Sequence, residues 1–197
     1  MLFQLRTPRL LLRHWQASDY APFSDLNRDA EVMRYFPNPL SQAESIELAD
    51  RISAGLSERG WGFWAAELRE SNEFLGFIGL SHNASTPQGK ILETGWRLKQ
   101  DAWGRGYATE GAKAALVFAF EILKLAEVFA LTSTGNDRSR AVMERLGMVN
   151  IENNFMHPKI ADGDPLQEHV LYRVTAKEFR TSLPVEIETI NRKKTSD

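Results

Sequence analysis

The chain has 197 residues and a mass of 22.4 kDa, the size of one globular domain that buries about 70% of its unfolded surface. Its 43% hydrophobic and 25% charged residues exclude disorder, collagen-like repeats and coiled-coil rods, and 24 basic against 26 acidic residues, a formal charge of -2, argue against bulk nucleic-acid phosphate as the main partner. The absence of cysteine excludes disulfides, thiolate zinc sites, iron-sulfur clusters and a cysteinyl acyl-enzyme.

At the N-terminus, Arg6 and Arg9 interrupt the apolar residues of positions 1–13, with no continuous apolar run and no small-residue cleavage site. The longest apolar helical stretch, 112–125, is broken by Lys113, Glu121 and Lys124 and is too short to span a bilayer. A cytoplasmic protein with no membrane partner is expected. Residues 5–15 read as a first strand, with Leu10, Leu11 and Leu12 apolar, and Ser18 or Asp19 can cap the helix that follows. The second helix opens at Ser41, which with Glu44 makes a capping box. It aligns Ile46, Ala49, Ile52 and Leu56 on one face and stops at Gly60. The period then changes. Residues 61–69, 74–80 and 91–99 are rich in aromatic and branched side chains and are separated by turn-like segments, which predicts an antiparallel meander.

A glycine turn, Gly104 to Gly106, leads into the best-defined helix, with Ala112, Ala115, Leu116, Ala119, Ile122 and Leu123 at helical spacing. A strand over 127–134, a short helix over 137–146 between Asn136 and Gly147, a last strand over 167–174 and a final helix capped by Thr175 with Glu178 complete the order. Residues 191–197 are polar and are expected to be disordered. The strand, glycine turn, helix and strand of residues 91–134 form one crossover, whose turn offers unpaired N-H groups at the positive end of a helix dipole and so makes an anion site. A P-loop is excluded, because Ala112 and Lys113 stand where Lys and Ser/Thr are required after Gly106 and Gly111. Thr109 replaces the third glycine of a dinucleotide fingerprint.

In this setting the chain resembles the GNAT superfamily of acetyl-CoA-dependent N-acetyltransferases, and within it the Rim-type (RimJ/RimL) group that acetylates ribosomal-protein N-termini. The marks are Thr7-Pro8-Arg9-Leu10-Leu11-Leu12-Arg13, Gly76-Phe77-Ile78-Gly79-Leu80, Glu93-Thr94-Gly95-Trp96-Arg97-Leu98, the glycine turn, and Asn136-Asp137-Arg138-Ser139-Arg140 leading to Glu144-Arg145-Leu146-Gly147-Met148. The superfamily turn, Gln/Arg-x-x-Gly-x-Gly/Ala, aligns with Gly106 and Ala108 and puts Trp103 at the Gln/Arg position, as in the Rim-type version. The resemblance implies an α+β (mixed α/β) fold whose central, mostly antiparallel sheet is splayed and flanked by helices. It implies one acetyltransferase domain over residues 1–183 and a polar C-terminal tail over 184–197. Acetyl-CoA is then the co-substrate, with no metal. Its pyrophosphate would meet main-chain N-H groups of Gly104, Arg105, Gly106, Tyr107, Ala108 and Thr109 beside Trp103. Its pantetheine arm would meet Trp96, Arg97 and Leu98 where the fourth and fifth predicted strands splay, with Asn136 on the other side.

Acetyl transfer needs a neutral amine, yet a Lys-type amine has a pKa of about 10.4 and an α-amine about 8, so a base is useful. The resemblance points to Glu93, which strand alternation puts on one face with Gly95 and Arg97. The alternative is an exposed carboxylate paired with Lys90 or Lys99. A backbone N-H near Trp96 would hold the oxygen of the tetrahedral intermediate. Many members protonate the departing thiolate with a Tyr; Met143 stands there, among the coenzyme-lining positions, and Ser139 is the Rim-type substitute, though it can equally be a solvent-facing hydroxyl. Glu110 reads as structural in the first turn of its helix. His157 and His169 read as surface or packing residues rather than bases or metal ligands. Arg138 and Arg140 can meet the coenzyme 3'-phosphate or lie on a solvated helix face. Tyr35, Phe36, Trp61 and Trp64 can line the acceptor mouth or belong to the core. The expected activity is direct acetyl transfer, in a ternary complex, to a protein α-amine or a small amine by a monomer or homodimer that does not bind nucleic acid directly. The competing reading is a catalytically weak acyl-CoA-binding regulatory module.

Overall fold

The computed structural model describes residues 1–151 and 154–190. β1 (Leu2–Arg6) and β2 (Leu10–Arg13) are an antiparallel hairpin, so the single strand expected over 5–15 is two. Pro8 has no N-H for a ladder, and Thr7 closes the turn by donating to the Leu10 carbonyl from its N-H (2.9 Å) and its hydroxyl (3.3 Å). A 3-10 turn, Ala17–Asp19, precedes α1 (Tyr20–Arg28). Asp19 does not cap that helix; both its oxygens hold Arg13 (2.7 and 2.8 Å), whose Nε donates to Glu67 (2.6 Å). α2 (Gln42–Arg59) opens on the Ser41/Glu44 capping box and ends at left-handed Gly60, as its sequence predicts. Ala49 and Leu56 are fully buried on its inner face, whereas Ile46 is exposed.

β3 (Phe63–Leu68), β4 (Glu73–Asn83) and β5 (Ile91–Leu98) form the antiparallel meander. The crossover through α3 (Tyr107–Glu121) brings β6 (Glu127–Ser133) parallel to β5. Beyond it come α4 (Asp137–Arg145), β7 (Val149–Asn150), β8 (Phe155–Met156), β9 (Glu168–Thr175) and β10 (Glu186–Ile190). The mostly antiparallel sheet runs β10-β1-β2-β3-β4-β5-β6-β9-β7, with β8 also on β9. No helix among the described residues is long and apolar enough to cross a membrane.

The C-terminal end differs from expectation. The capping bonds of Thr175 with Glu178 form (Oγ1 to Oε2, 2.6 Å), yet they close only a turn. Pro184 biases Leu183 towards extended backbone, and Phe179 docks on Phe120 (centroids 5.4 Å apart) while Val185 and Ile187 also pack on the core. The chain continues to the sheet edge, where Glu186–Ile190 pair with β1 and Glu188 takes bonds from Gln4 and Arg6. The polar tail expected from residue 184 therefore includes a strand, and residues 191–197 lie outside the described residues.

Alternation divides the sheet into two faces. Leu12, Trp64, Ile78, Leu80, Leu98 and Ala130 join α3 and α4 in the main core, while Phe77 packs with Phe23, Leu26 and Ala49 of α1 and α2 on the other face. Helix and sheet approach closely at Gly111, where a Cβ would stand 2.4 Å from Ile78 Cδ1. Ile122, expected on the buried stripe of α3, is exposed just past the helix end.

One glycine fixes the path of β5. Gly76 has φ +131 at a bulge of β4, and a Cβ there would lie 2.1 Å from the Arg97 carbonyl oxygen, a backbone atom that cannot step aside. Gly76→Ala should lower stability by about 2 kcal/mol or more, read as a fall in the urea midpoint at unchanged slope.

Candidate active site

β5 and β6 are parallel, but a single pair, Glu93 with Phe129, joins them. Beyond that pair the C-terminal halves of both strands carry no ladder to each other, so the sheet opens between residues 94–98 and 130–133. Backbone N-H and C=O groups at such an opening must find another partner, and an extended chain with amide groups, as in pantetheine, offers one. Trp96 and Leu98 turn towards the α3 core, whereas Glu93, Gly95 and Arg97 share the opposite face.

At the far end of the opening stands the glycine turn. Gly104 (φ +72) and Gly106 (φ +80) adopt left-handed backbone and are exposed, a conformation that costs other residues about 1–2 kcal/mol. The Gly106 carbonyl takes the first intrahelical bond, from Glu110 N (3.0 Å), so the N-H groups of Tyr107, Ala108 and Thr109 leave the helix end without a carbonyl to receive them. This end fits a pyrophosphate: it has free donors, a positive dipole and no acidic side chain facing out. Glu110 is turned inward. It accepts from Thr7 Oγ1 (2.6 Å), Arg9 N (2.9 Å) and Arg9 Nε (2.6 Å), while Arg9 Nη1 donates to the Arg105 carbonyl (2.9 Å) and its guanidinium lies over Tyr107 (4.7 Å). The structural role read for Glu110 holds, and Thr7 and Arg9, family marks without an assigned task, are what steady the turn.

Trp103 spans the gap beneath the turn. Its indole N-H donates to the Leu98 carbonyl (2.9 Å) and Arg138 lies 4.6 Å over its ring. Arg138 therefore stands beside the glycine turn and is exposed. Arg140 is half-buried: it donates to the Thr134 carbonyl (3.2 Å), and contact with Tyr172 raises its pKa, so of the two arginines expected to meet the 3'-phosphate or to lie on a solvated helix face, only Arg138 is exposed beside the turn. Asn136 stands at the β6 lip, but its side chain is spent, capping Ser139 N (3.2 Å) and donating to Thr132 Oγ1 (2.9 Å). Ser139 is half-buried in the first turn of α4. Met143 is 2% exposed and packs in the core with Leu146 and Met148; the apolar face of α4 draws it inward, so it does not line the cleft.

On the opposite face Glu93 is half-buried and accepts from Asn83 Nδ2 (2.9 Å). Burial raises its pKa from 4.5 to about 6, against the smaller opposing effects of Asn83 and Lys159. The surface pair expected as its alternative does not form, since Lys99 holds Glu73. The α1–α2 connection roofs this face. Phe36 stacks on Arg97 (4.0 Å), and Tyr35 reaches the β6–α4 turn, where a Cβ on Gly135 would be 3.9 Å from its ring. Tyr35 and Phe36 thus lie over the Glu93–Arg97 face of β5 and not in the core. Trp64 is in the core, fully buried against Phe118 (5.4 Å). Trp61 lies instead between Arg59 and His82. His157 and His169 stack (4.8 Å) beside Phe155, burial lowering both pKa values. They pack, and among the described residues no group of three or more His, Cys, Asp or Glu side chains could hold a metal.

Sequence reasoning missed Asn83, Lys159 and the side-chain role of Arg97. Alternation from Glu93 carried the signal for Arg97, whereas Asn83 and Lys159 reach Glu93 only through tertiary packing.

A strand that parts from its parallel neighbour, followed by a glycine-turned helix end, defines the class: an acyl-coenzyme A transferase fold. The family described as Acetyltransferase (GNAT) domain matches residues 9–149, and the chain belongs to it, as an acetyl-CoA-dependent N-acetyltransferase. Among its relatives, FsC-acetyl coenzyme A-N(2)-transacetylase of Aspergillus fumigatus is 34% identical over 167 residues, 78% of this chain and 68% of that protein. The acetyltransferase of Agrobacterium tumefaciens superposes with a TM-score of 0.70 at 31% identity, covering 87% of this chain and 93% of the other. RimJ of Mycobacterium smegmatis, solved with CoA-disulfide, shares the fold (TM-score 0.67, 22% identity, 89% and 87% covered).

Gly106→Val should weaken acetyl-CoA binding about tenfold or more in isothermal titration, because the strained residue withdraws the N-H cradle, while thermal stability falls by only about 1–2 kcal/mol.

Proposed function

We propose that the protein transfers an acetyl group from acetyl-CoA directly to a primary amine in a ternary complex, with Glu93 as the base. The observation that carries this reading is the position of Glu93: it lies on the acceptor face of the strand that parts from β6, held by a neutral amide, with a pKa of about 6. Bound acetyl-CoA supplies the thioester carbonyl, whose C–S bond breaks as the new C–N bond forms. The N-H groups of residues 104–109 would hold its pyrophosphate and the open edges of β5 and β6 its pantetheine arm. Glu93, directly or through one water, takes the proton of the incoming ammonium, so that the amine attacks with its lone pair free. A backbone N-H near Trp96 steadies the carbonyl oxygen as it gains charge, and as the intermediate collapses the thiolate takes up, through the Ser139 hydroxyl or solvent, the second proton that the nitrogen releases on becoming an amide. Direct transfer agrees with a chain that has no cysteine to carry an acetyl group. A protein α-amine, as in the Rim-type group, and a small amine are the two forms of acceptor. The name of the Aspergillus relative, which cites transfer to an N(2) nitrogen, supports an amine acceptor in general.

Glu93→Gln tests this against a regulatory acyl-CoA-binding module. Acetyl-CoA affinity should stay within about twofold while kcat drops about 100-fold or more; thiol release that is unchanged would remove Glu93 from the chemistry. In the wild type, kcat/KM should rise with pH through about 6, as the carboxyl loses its proton. The same raised pKa means that the native state holds this proton more tightly than the unfolded chain. Its stabilising effect is full below pH 4.5 and is lost as pH rises through about 6, so chemical denaturation of Glu93→Gln should show a flatter pH dependence across that window.

A further inference from the structure

Arg97 is the second charged side chain on the acceptor face, four residues beyond Glu93 and therefore about 13 Å further along the strand. The sequence gives no hint of a partner for it, and the structure supplies only a neutral one: Nη1 donates to Asn27 Oδ1 at 2.7 Å. Phe36 lies 4.0 Å over the guanidinium and Phe77, its cross-strand neighbour on β4, 5.6 Å away. Among the described residues no carboxylate stands within salt-bridge distance. Nε is buried with no hydrogen-bond partner at all. Burial alone lowers its pKa, to about 10, so the group is still a cation at neutral pH.

An unpaired guanidinium in such a place is expensive, because a buried charge normally gains a counter-charge or is lost. Arg13, which is buried as a whole where Arg97 is half-buried, shows the ordinary solution: it is paired with both Asp19 and Glu67. With Nη1 occupied by Asn27 and Nε buried without a partner, the guanidinium keeps unmet donor capacity, and its Nε/Nη2 edge is the fork that binds a carboxylate through two parallel N-H bonds where a ligand displaces the covering side chains. Gly95, between Glu93 and Arg97 on the same face, is covered by the Phe63 ring (3.2 Å from a Cβ position), so the floor between the two charges is an aromatic edge with no side chain of its own. The Tyr35–Phe36 roof crosses from β5 to the turn at Gly135, which suits a compact ligand better than a running polypeptide.

We infer that Arg97 binds the carboxylate of the acceptor, and that the acceptor is a small amino carboxylate whose amine sits between Glu93 and Arg97 rather than a polyamine or a protein terminus. This rests on the transferase reading above. A polyamine would bring a second cation against a buried one with no carboxylate to offset it, whereas an amino carboxylate presents its negative end to Arg97 and its amine to the base.

The test begins with titration of acetyl-CoA into the wild type and the variants. Thiol release is then followed for a ladder of ω-amino acids from glycine to 6-aminohexanoate, each beside its amide and the diamine of the same length. For the fitting length, the wild type should favour the carboxylate by about tenfold or more in kcat/KM, mostly through KM. Arg97→Gln should abolish that preference, and Arg97→Lys, which keeps a point charge but not the fork, should retain part of it. Asn27→Ala loosens the brace between β5 and α1 but leaves the guanidinium, so it should lower the melting temperature and keep the preference, which separates recognition from simple stability. Equal use of amides or diamines, a preference that survives Arg97→Gln, or no release from any amine by a protein that binds acetyl-CoA would overturn the inference. Failure to bind acetyl-CoA would instead bring down the transferase reading on which it stands.

Discussion

Everything in the site follows from the parting of two parallel strands. A sheet that stayed paired from Glu93 and Phe129 onward would bury its edges in a ladder and have no place for an extended co-substrate. Because β5 and β6 form a ladder only at that one pair, their outer halves leave backbone groups unpaired with one another along an opening, and unmet backbone donors and acceptors are a strong drive for binding. The crossover through α3 then sets the glycine turn at the end of the same opening. Gly76, which lets β4 bend close beneath Arg97, and Gly111, which lets α3 settle on Ile78, keep β5 and α3 in that relation.

The two faces of β5 divide the labour. Trp96 and Leu98 commit to the core and fix the strand, while Glu93, Gly95 and Arg97 look towards the α1–α2 side. Neither charge on that side forms a close salt bridge among the described residues, Glu93 having Lys159 only as a more distant counter-charge, in contrast to the Arg13, Asp19 and Glu67 cluster and to the Glu110, Thr7 and Arg9 brace. The buried charges that brace the fold at Arg13 and Glu110 are ion-paired, whereas Glu93 and Arg97 hold only neutral hydrogen-bond partners. That difference is the physical signature of a site, since unanswered charge lowers stability and persists where a ligand or a proton completes it.

Much of this was legible in the amino-acid sequence because it depends on local rules. The capping box at Ser41, the meander, the glycine turn and the cap at Asn136 all rest on neighbouring residues, and alternation along 93–97 put Glu93 and Arg97 on one face. What could not be read needed tertiary contacts. Arg140 is drawn to Tyr172 across the sheet, Met143 is drawn into the core, and Trp64 is buried by Phe118 of a distant helix. The strand at Glu186–Ile190 is a polar, alternating segment that becomes a strand because β1 offers an open edge, and composition alone made it resemble a tail. The Thr175 cap formed without a helix, since a cap without a following apolar stripe has nothing to hold the turns.

The most direct test of the central claim is amide hydrogen exchange followed by mass spectrometry, with and without acetyl-CoA. If the opening and the glycine turn are one binding cleft, added protection should concentrate in residues 94–98, 104–109 and 131–136 and leave β1, β2 and β10 unchanged. Protection that falls outside those segments, or none at saturating acetyl-CoA, would contradict the account.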